Sequence, residues 1–247
     1  MNKVTEHDIA KMIDHSLLHP TMDDTILRDQ CELAKKYDAA SVCIKPYAIK
    51  MAVELLKDSD VMVGTVIGFP HGSNTVEVKA FETKQAIEHG AVEIDMVVNI
   101  GKVLSEEWVY IENEIKALQD ICKENDAALK VIFENDHLPE DKYKIKLCEI
   151  CTKLEVAFVK TSTGYGFVKQ PDGSYNYKGA TEHDLKLMRK HSADSVEVKA
   201  AGGVRTLADT LKVRSWGVTR IGATATEAII LEYRGQNPDA APVVGGY

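Results

Sequence analysis

Two lysines lie near the ends of apolar, β-type segments, in a setting suited to covalent chemistry on a carbonyl group. Lys160 follows Ala-Phe-Val and precedes Thr-Ser-Thr-Gly, and Lys199 lies in Val-Glu-Val-Lys-Ala-Ala-Gly-Gly. Removal from water destabilises an ammonium ion, so burial shifts a lysine toward its neutral amine. A neutral amine attacks carbonyl carbon and forms a Schiff base. The sequence therefore predicts Schiff-base chemistry, with Lys160 as the preferred nucleophile.

Each lysine also has a structural interpretation. Lys160 could be a strand-end lysine whose ammonium group reaches solvent along the side of the strand. Lys199 could form an ion pair with Glu197 or with another acid. The small hydroxyl residues after Lys160 favour a polar pocket over a solvated edge. If both lysines point into one pocket, like-charge repulsion lowers the pKa of each, which would leave one amine free to attack.

Asp95 is the main candidate acid. It shares a strand face with Glu93 in the apolar segment 92–99, because alternate residues of a strand point to the same side. A buried carboxylate needs a partner, so an inward Asp95 predicts contact with a lysine or a role in proton transfer. A structural ion pair is the alternative. Asp14, placed before the first predicted strand, is the weaker candidate, and a cap or turn role is its alternative.

Glycine-rich turns indicate an anion site. Gly202 and Gly203 precede a predicted helix start, where backbone N–H groups are open to an anion. In barrels, the loops after the seventh and eighth strands often bind phosphate. Gly222 to Thr224 is predicted to offer the same geometry after the eighth strand.

Eight strand segments alternate with amphipathic helical segments along the chain. This alternation predicts parallel strands with right-handed crossovers, and eight units close into a single (β/α)8 TIM barrel over residues 1–247. An open doubly wound sheet is the alternative, but it usually carries a glycine-rich turn after its first strand. An extra helix over about 5–13 precedes the barrel, and about 236–247 forms a flexible tail. The strands are predicted at 15–18, 40–44, 61–69, 92–99, 129–134, 157–162, 196–199 and 220–223.

One connection, residues 166–179, is long for a barrel loop. Pro171-Asp172-Gly173 at its centre is typical of a hairpin tip. The loop follows the Lys160 strand and is expected on the catalytic face. A lid, a subunit contact and a tolerated surface insertion all fit this position.

Composition excludes several classes of protein. The net charge of −8 over 247 residues argues against nonspecific binding to nucleic acid or to an anionic membrane. No apolar run is long enough to span a bilayer, and the N-terminus lacks a signal-peptide pattern, so a cytoplasmic location is expected.

The five cysteines do not form a disulfide pattern, and Cys148 and Cys151 are predicted to pack in a helix. No metal site is predicted from His15 and His19 or from Asp136 and His137.

Several motifs together resemble the deoxyribose-phosphate aldolase family. The resemblance runs from Ile13 to about Gly235 and rests on seven motifs in the family's order. It implies a (β/α)8 barrel, a class I aldolase that uses no cofactor and no metal, a small phosphorylated sugar as substrate, and a homo-oligomer, either a dimer or a tetramer. The motifs are Asp-His-Ser-Leu-Leu at 14–18, Ser-Val-Cys at 41–43, Val-Ile-Gly-Phe-Pro-His-Gly at 66–72, Glu-Ile-Asp-Met-Val at 93–97, Val-Lys-Thr-Ser-Thr-Gly at 159–164 and Lys-Ala-Ala-Gly-Gly-Val-Arg at 199–205, followed by Arg-Ile-Gly at 220–222.

The resemblance also implies individual roles. Lys160 matches the Schiff-base lysine, Lys199 the second lysine that perturbs it, and Asp95 the aspartate that moves protons through a water. The phosphate-binding and accessory positions that it implies are Gly164, Gly202, Gly203, Gly222 and Thr224, with Thr163 and a C-terminal Tyr247 as further candidates.

The chain departs from the family pattern at several positions. Thr224 stands where serine is usual, His19 where lysine is common, and Lys45 where asparagine is usual. Residues 134–137, Glu-Asn-Asp-His, replace a stretch that usually reads Glu-Thr-Cys, and the loop 166–179 is longer than in short bacterial members. These departures affect the expected acceptor aldehyde more than the reaction type. The resemblance implies reversible cleavage of 2-deoxy-D-ribose 5-phosphate. A class I aldolase for another sugar phosphate, a noncatalytic sugar-phosphate-binding barrel and a metal-dependent lyase are the alternatives.

Overall fold

Eight parallel strands close into a barrel, which confirms the predicted fold class. The computed structural model describes residues 4–236. Most of the predicted tail 236–247, with Tyr247, lies outside the described residues. The barrel strands are β1 (Ile13–Leu17), β2 (Ser41–Ile44), β3 (Met62–Ile67), β4 (Glu93–Val97), β5 (Ala128–Ile132), β6 (Phe158–Lys160), β9 (Glu197–Ala201) and β10 (Arg220–Ala223). They are hydrogen-bonded in the order β1, β10, β9, β6, β5, β4, β3, β2.

Helices connect successive strands and cover the outside of the barrel. Polar side chains cap several of them, and the predicted N-cap Thr181 is confirmed, since its hydroxyl accepts the N–H of Asp184. Gly90 and Gly217, predicted at helix ends, have positive φ angles of 104° and 88°. The helices are α1 (Glu6–Ala10), α2 (Asp24–Lys36), α3 (Ile49–Leu56), α4 (Val76–Glu88), α5 (Ile100–Leu104), α6 (Trp108–Glu124), α7 (Asp141–Lys153), α8 (Glu182–His191), α9 (Leu207–Ser215) and α10 (Thr226–Tyr233).

The first strand begins two residues earlier than predicted. The N-terminal helix is present but shorter, with Thr5 and Asp8 forming a capping box at its start. The chain then enters β1 at Ile13, which pairs with Ile221 of β10. Asp14 therefore lies within a barrel strand, and the alternative cap or turn role for it is wrong.

The loop 166–179 contains the predicted hairpin. Strands β7 (Val168–Lys169) and β8 (Tyr175–Asn176) pair antiparallel. At the tip, Gly173 has a φ of +85°, and the Asp172 carboxylate accepts the Ser174 N–H. The predicted tip is confirmed because an aspartate and a left-handed glycine meet the geometry of a tight turn.

The cysteine pair in α7 packs in the core as predicted. Cys148 and Cys151 are buried free thiols. Burial raises the pKa of the Cys148 thiol to about 12, so the thiolate that reacts or binds metal is disfavoured. Over residues 4–236, no helix has both the length and the apolar character needed to cross a bilayer.

A buried ion pair joins α4 to α6 and fixes two loops at the barrel mouth. Lys79 Nζ lies 2.7 Å from Glu114 Oε1 and donates to the backbone carbonyls of Gly72 and Val97, each at 2.7 Å. The other Glu114 oxygen accepts the Asn99 N–H at 2.9 Å. Both side chains are fully buried. The pair therefore satisfies backbone groups of the loops that follow β3 and β4.

Lys79→Ala should lower the free energy of unfolding by about 3–5 kcal/mol, because it leaves the Glu114 carboxylate buried without its cation. Urea unfolding followed by circular dichroism measures this change. The control is Lys116→Ala, which removes an exposed (i, i+4) pair with Asp120. This control should change the free energy by no more than about 0.5 kcal/mol. Equal effects of the two substitutions would contradict the role given to the buried pair.

Candidate active site

Seven charged side chains meet inside the barrel, and we call them the interior charge cluster. Alternate residues of each strand point inward, so the barrel brings together side chains that are far apart in sequence. Six of the seven are almost completely buried, and Arg220 is 11% exposed. The cluster consists of the carboxylates Asp14, Glu93 and Asp95 and the cations Lys130, Lys160, Lys199 and Arg220.

Asp95 is the centre of this cluster. Its Oδ2 atom lies 2.7 Å from Lys160 Nζ and 2.7 Å from Lys199 Nζ. Its Oδ1 atom lies 3.4 Å from Lys130 Nζ. Lys160 and Lys199 are opposite each other in the β6–β9 register. The structure thus brings together the three residues predicted as catalytic.

Asp14 links the centre of the cluster to a deeper layer. Its Oδ2 atom lies 2.5 Å from Lys199 Nζ and 2.8 Å from Lys130 Nζ. Its Oδ1 atom accepts from Arg220 at 2.5 Å and from the Ser41 hydroxyl at 2.7 Å. The Asp14 carboxylate therefore has four polar partners, which makes it a member of the site rather than a peripheral candidate.

The deeper layer lies toward the N-terminal ends of the strands. Glu93 Oε2 is 2.5 Å from Lys130 Nζ, and Glu93 Oε1 is 3.0 Å from Arg220 Nη1. The Phe158 ring faces both cations, at 5.6 Å from Lys130 Nζ and 5.1 Å from the Arg220 guanidinium carbon. Such ring contacts add a modest attraction for desolvated cations.

Sequence reasoning missed the role of this layer. Lys130 lies in Ala-Leu-Lys-Val-Ile, the same apolar setting that singled out Lys160 and Lys199. Because no glycine turn follows it, Lys130 did not stand out as a site residue. The signal that could have found it is the cost of an unpaired lysine in the middle of a buried strand.

Surrounding cations hold the carboxylates in their charged forms. Burial opposes ionisation of Asp14, but Lys130, Lys199 and Arg220 outweigh it, so the pKa of Asp14 lies well below its ordinary value. The pKa of Asp95 is also lowered, since Lys130, Lys160 and Lys199 overcome the effect of burial. Both carboxylates are therefore ionised at neutral pH.

The pKa of Lys160 differs from the expectation drawn from like-charge repulsion. Burial disfavours its ammonium form, but the Asp95 carboxylate outweighs burial, and the pKa of Lys160 lies above its ordinary value. The predicted lowering of the Lys160 pKa is therefore wrong. The physical reason is that one carboxylate oxygen lies between the two ammonium groups and attracts both.

The three hydroxyl residues after Lys160 have different surroundings. Thr161 Oγ1 bonds the backbone N–H and carbonyl of Ala201, both at 3.0 Å. The Thr163 hydroxyl donates to the buried Glu134 carboxylate, which also accepts the Thr163 N–H at 3.2 Å. Ser162 Oγ is buried without a hydrogen-bond partner among the described residues. Two of the hydroxyls therefore fix the strand end, and Ser162 keeps an unused donor.

The glycine turns lie near this strand end. Gly164 is buried with a φ of +85°, and Gly202 and Gly203 follow β9 with φ angles of 89° and 92°. A Cβ atom at Gly203 would meet no atom within 4 Å, so its backbone is open. Thr224 is half-buried and lies between β10 and α10.

Gly222 does not belong to these turns. It pairs within the ladder with Asp14 and Ala201, so its backbone is part of β10. A Cβ atom there would lie 3.7 Å from Lys199 Cε and 3.6 Å from Ser16 Oγ. The missing side chain leaves room for the Lys199 stem, and Gly222 lies in the strand predicted at 220–223.

Comparison with known proteins shows the family. Residues 9–226 match the profile described as "DeoC/LacD family aldolase". The chain belongs to this aldolase family. It is 49% identical over 230 residues to a deoxyribose-phosphate aldolase of Rhodopirellula baltica, covering 93% of this chain and 91% of the relative. It is 44% identical to the deoxyribose-phosphate aldolase of Caldanaerobacter subterraneus, covering 93% of this chain and 95% of that relative.

Solved structures of the family share the fold. A putative deoxyribose-phosphate aldolase from Coccidioides immitis superposes with a TM-score of 0.84 at 32% identity, over 93% of this chain and 87% of that one. The deoxyribose phosphate aldolase of Aeropyrum pernix, described as a tetramer, has a TM-score of 0.82 at 26% identity, over 93% of this chain and 92% of that one.

Two departures from the aldolase pattern contact each other. Lys45 Nζ donates to the backbone carbonyl of His19 at 3.2 Å and to that of Met22 at 2.6 Å. Its ammonium group thereby joins the end of β2 to the loop after β1. The His19 ring bonds Thr21 Oγ1 at 2.7 Å within the same loop. These two residues shape a loop of the aldolase rather than add charge to the interior cluster.

A cluster of three polar side chains lies outside the barrel strands, on α7 and α8. Among the described residues, Asp141, His183 and Asp184 place possible metal-binding atoms within 4.8 Å of one another. Lys144 Nζ lies 3.0 Å from Asp141 Oδ1 and 2.5 Å from Asp184 Oδ1. The lysine therefore pairs with both carboxylates.

Asp95→Asn should lower the pKa of Lys160, because it removes the carboxylate that stabilises the ammonium form. Reductive methylation with ¹³C-formaldehyde followed by NMR titration measures this pKa. Glu93→Gln is the control, since it removes a carboxylate from the same cluster that has no contact with Lys160. The control should shift the pKa less than Asp95→Asn does. An unchanged or higher pKa in Asp95→Asn would contradict the cause assigned here.

Proposed function

We propose that the protein is a class I aldolase that reversibly cleaves 2-deoxy-D-ribose 5-phosphate into acetaldehyde and D-glyceraldehyde 3-phosphate. A Schiff base on Lys160 carries the reaction. The observation that supports this most directly is the position of the Lys160 amine, buried at the C-terminal end of β6 and sharing Asp95 Oδ2 with Lys199. Active sites of such barrels lie at this end of the strands.

The charge balance of the interior cluster supports Lys160 as the nucleophile. Four cations face three carboxylates, so the cluster carries one positive charge in excess when all are ionised. Loss of one proton makes the buried cluster neutral, which reduces the desolvation cost. Within residues 4–236, Lys130 contacts three carboxylates and Lys199 two, whereas Lys160 contacts only Asp95. Lys160 is thus the lysine of the cluster with the fewest carboxylate contacts among these residues.

The proton of Lys160 has a direct route to an acceptor. Asp95 Oδ2 bonds Lys160 Nζ and Lys199 Nζ at 2.7 Å each. A proton can therefore leave Lys160 through Asp95 and a water before the neutral amine attacks the aldehyde carbon. Lys199 is held beside the reacting centre by Asp14 and Asp95.

The bond changes follow from the Schiff base. The amine adds to C1 of the open-chain sugar, and loss of water gives the imine. The C2–C3 bond breaks as the C3 hydroxyl loses its proton, and the electron pair moves into the protonated imine to give an enamine. Protonation of C2 and hydrolysis then release acetaldehyde and the free lysine. The imine itself accepts the electron pair, so the proposed reaction requires no cofactor and no metal ion.

The two ends of the substrate have different surroundings. Cys43 Sγ lies 4.0 Å from Asp95 Oδ2 and belongs to an apolar cluster with Leu18 and Val66. This wall suits the methyl end of a two-carbon aldehyde, which carries no polar group. On the opposite side of the mouth, Gly202 and Gly203 precede α9, where backbone N–H groups and the helix start favour a phosphate. We assign Gly164 and Thr224 to the same end of the substrate.

Other parts of the functional assignment are also proposals. We propose a homo-oligomer, dimer or tetramer, which the tetrameric relative from Aeropyrum pernix supports. We also propose a cytoplasmic enzyme that binds neither nucleic acid nor membranes, in line with the net charge of −8.

The departures at Lys45 and at residues 134–137 favour a second candidate, a class I aldolase for another sugar phosphate. Turnover of a panel of sugar phosphates distinguishes the two candidates.

Lys160→Ala should abolish turnover while the circular dichroism spectrum stays unchanged. Borohydride reduction in the presence of acetaldehyde should add 28 Da to the wild-type protein, about the mass of an ethyl group that replaces one hydrogen, and peptide mapping should place it at Lys160. Label at Lys199 would reassign the nucleophile. No label at any lysine would instead favour a noncatalytic sugar-phosphate-binding barrel.

Gly203→Val should raise KM for 2-deoxy-D-ribose 5-phosphate by about tenfold or more, because a branched side chain blocks close approach of the phosphate to the backbone. The KM for unphosphorylated 2-deoxy-D-ribose should change much less. Gly173→Val is the control, since Gly173 has a similar φ of +85° but lies at the hairpin tip with no atom within 4 Å of an added Cβ. Equal losses on both sugars would contradict a phosphate site at Gly203.

A further inference from the structure

The base of the insertion 166–179 touches the glycine loop that follows β9. The Ala180 N–H donates to the Gly202 carbonyl at 3.0 Å. A Cβ atom at Gly179 would lie 2.6 Å from the Gly202 oxygen, so the two backbones are in direct contact. A Cβ atom at Gly202 would in turn lie 3.2 Å from Tyr177 Cε2. The insertion and the proposed phosphate loop therefore cannot move independently.

Asp136 holds this base in place. Its two carboxylate oxygens accept the N–H groups of Lys178 at 2.5 Å and of Gly179 at 2.9 Å. Asp136 belongs to a single 3-10 turn, Asn135–His137, and the Asn135 N–H donates to the Thr161 carbonyl at 3.0 Å. A continuous set of hydrogen bonds thus connects the strand end beside Lys160 to Gly179 and then to Gly202.

A second set of contacts supports the N-terminal end of the insertion, at Gly166 and Phe167. A Cβ atom at Gly166 would lie 2.6 Å from the Glu134 carboxylate carbon, and this carboxylate holds Thr163. The Phe167 and Tyr177 rings meet edge to face at 5.3 Å across the base. Both ends of the insertion, at Gly166 and at Lys178–Gly179, therefore contact residues 134–136. This is the stretch in which the chain departs from the family pattern.

The hairpin itself is less closely attached than its base. A cavity of about 600 Å³ separates it from α7 and α8, bordered by Val168 and Gln170 on one side and by Asp141 and His183 on the other. The position of the insertion is consequently set where it meets Asp136, Glu134 and Gly202.

We propose that the insertion 166–179 positions the Gly202–Gly203 loop for the phosphate of the substrate, and that Asp136 is the positioning residue that anchors the insertion. This inference rests on the proposed function, which assigns the phosphate to that loop. It makes the long loop a determinant of specificity for phosphorylated over unphosphorylated sugars. The Schiff-base chemistry at Lys160 does not depend on it.

The test compares two pairs of matched variants in the full chain. Gly179→Ala is matched with Gly173→Ala, because both glycines lie in the insertion with positive φ angles, of 66° and 85°, and only Gly179 would clash with Gly202. Asp136→Ala is matched with Asp172→Ala, because both carboxylates accept backbone N–H groups of the insertion. Kinetics are measured with 2-deoxy-D-ribose 5-phosphate and with 2-deoxy-D-ribose. Binding of inorganic phosphate is measured by calorimetry.

Gly179→Ala and Asp136→Ala should raise KM for the phosphorylated sugar about tenfold, with kcat within about twofold of wild type. Their kcat/KM for 2-deoxy-D-ribose should stay unchanged, and their affinity for inorganic phosphate should fall to a similar extent. Gly173→Ala and Asp172→Ala should behave as wild type. A merely structural role for the insertion would lower turnover of both sugars equally, and this result would overturn the proposal.

Two controls separate this inference from the proposed function. Borohydride trapping with acetaldehyde involves no phosphate, so all four variants should give the label at Lys160. Trapping without any change in phosphate affinity among the variants would refute the inference and leave the aldolase assignment intact. Weaker phosphate binding in Gly179→Ala and Asp136→Ala, with no trapping even in the wild type, would refute the aldolase assignment and support the positioning role.

Discussion

One carboxylate oxygen, Asp95 Oδ2, lies between two buried ammonium groups, and the interior of this barrel depends on that shared contact. Placing several ions in a protein interior carries a large desolvation cost, which close pairing with opposite charges must offset. Asp95 alone cannot meet this cost for three lysines. The cluster therefore extends downward through Asp14 and Glu93 to Arg220, and each ion contacts at least one of opposite sign.

The number of partners changes along the barrel axis. Toward the N-terminal ends of the strands, Glu93 and Asp14 contact Lys130 and Arg220 in a set of short ion pairs. Toward the mouth, and counting the part of the chain that the structure describes, Lys160 has the single charged partner Asp95 and Ser162 Oγ has no hydrogen-bond partner. The well-paired layer holds Asp95 and Lys199 in position, and the poorly paired end is where a substrate can make new contacts. Preorganised charge of this kind is a major source of catalytic power in enzymes.

The mouth of the barrel divides into an apolar and a polar side. Leu18, Cys43 and Val66 border Asp95 on the side of β1 to β3. Glu134, Asp136 and the glycine turns lie on the side of β5, β6 and β9. The residues that depart from the family pattern on the polar side are also those that attach the long insertion, so the two departures are one structural feature. Lys45 and His19 form a second such feature on the apolar side, where they fix the loop after β1.

The sequence by itself determined the barrel and its main reactive residues. Strand and helix periodicities placed all eight barrel strands within a few residues, and the apolar settings of Lys160, Lys199 and Asp95 identified the centre of the cluster. These features are local, because alternation along one strand decides which side chains face inward. The hairpin tip at Gly173 was also predictable, since its turn chemistry is contained in three residues.

Only the tertiary structure decided which inward side chains meet. Asp14 and Lys130 are 116 residues apart, and Asp95 and Lys199 are 104 residues apart, so their contacts follow from strand order and register rather than from any local pattern. The same reason explains why Lys130 was missed, why Asp14 was placed before the first strand, and why the pKa of Lys160 is raised rather than lowered. Like-charge repulsion between two lysines on neighbouring strands was expected to lower the pKa of Lys160. One carboxylate oxygen lies between the two ammonium groups, and its attraction raises this pKa instead. Closure of the barrel sets that position.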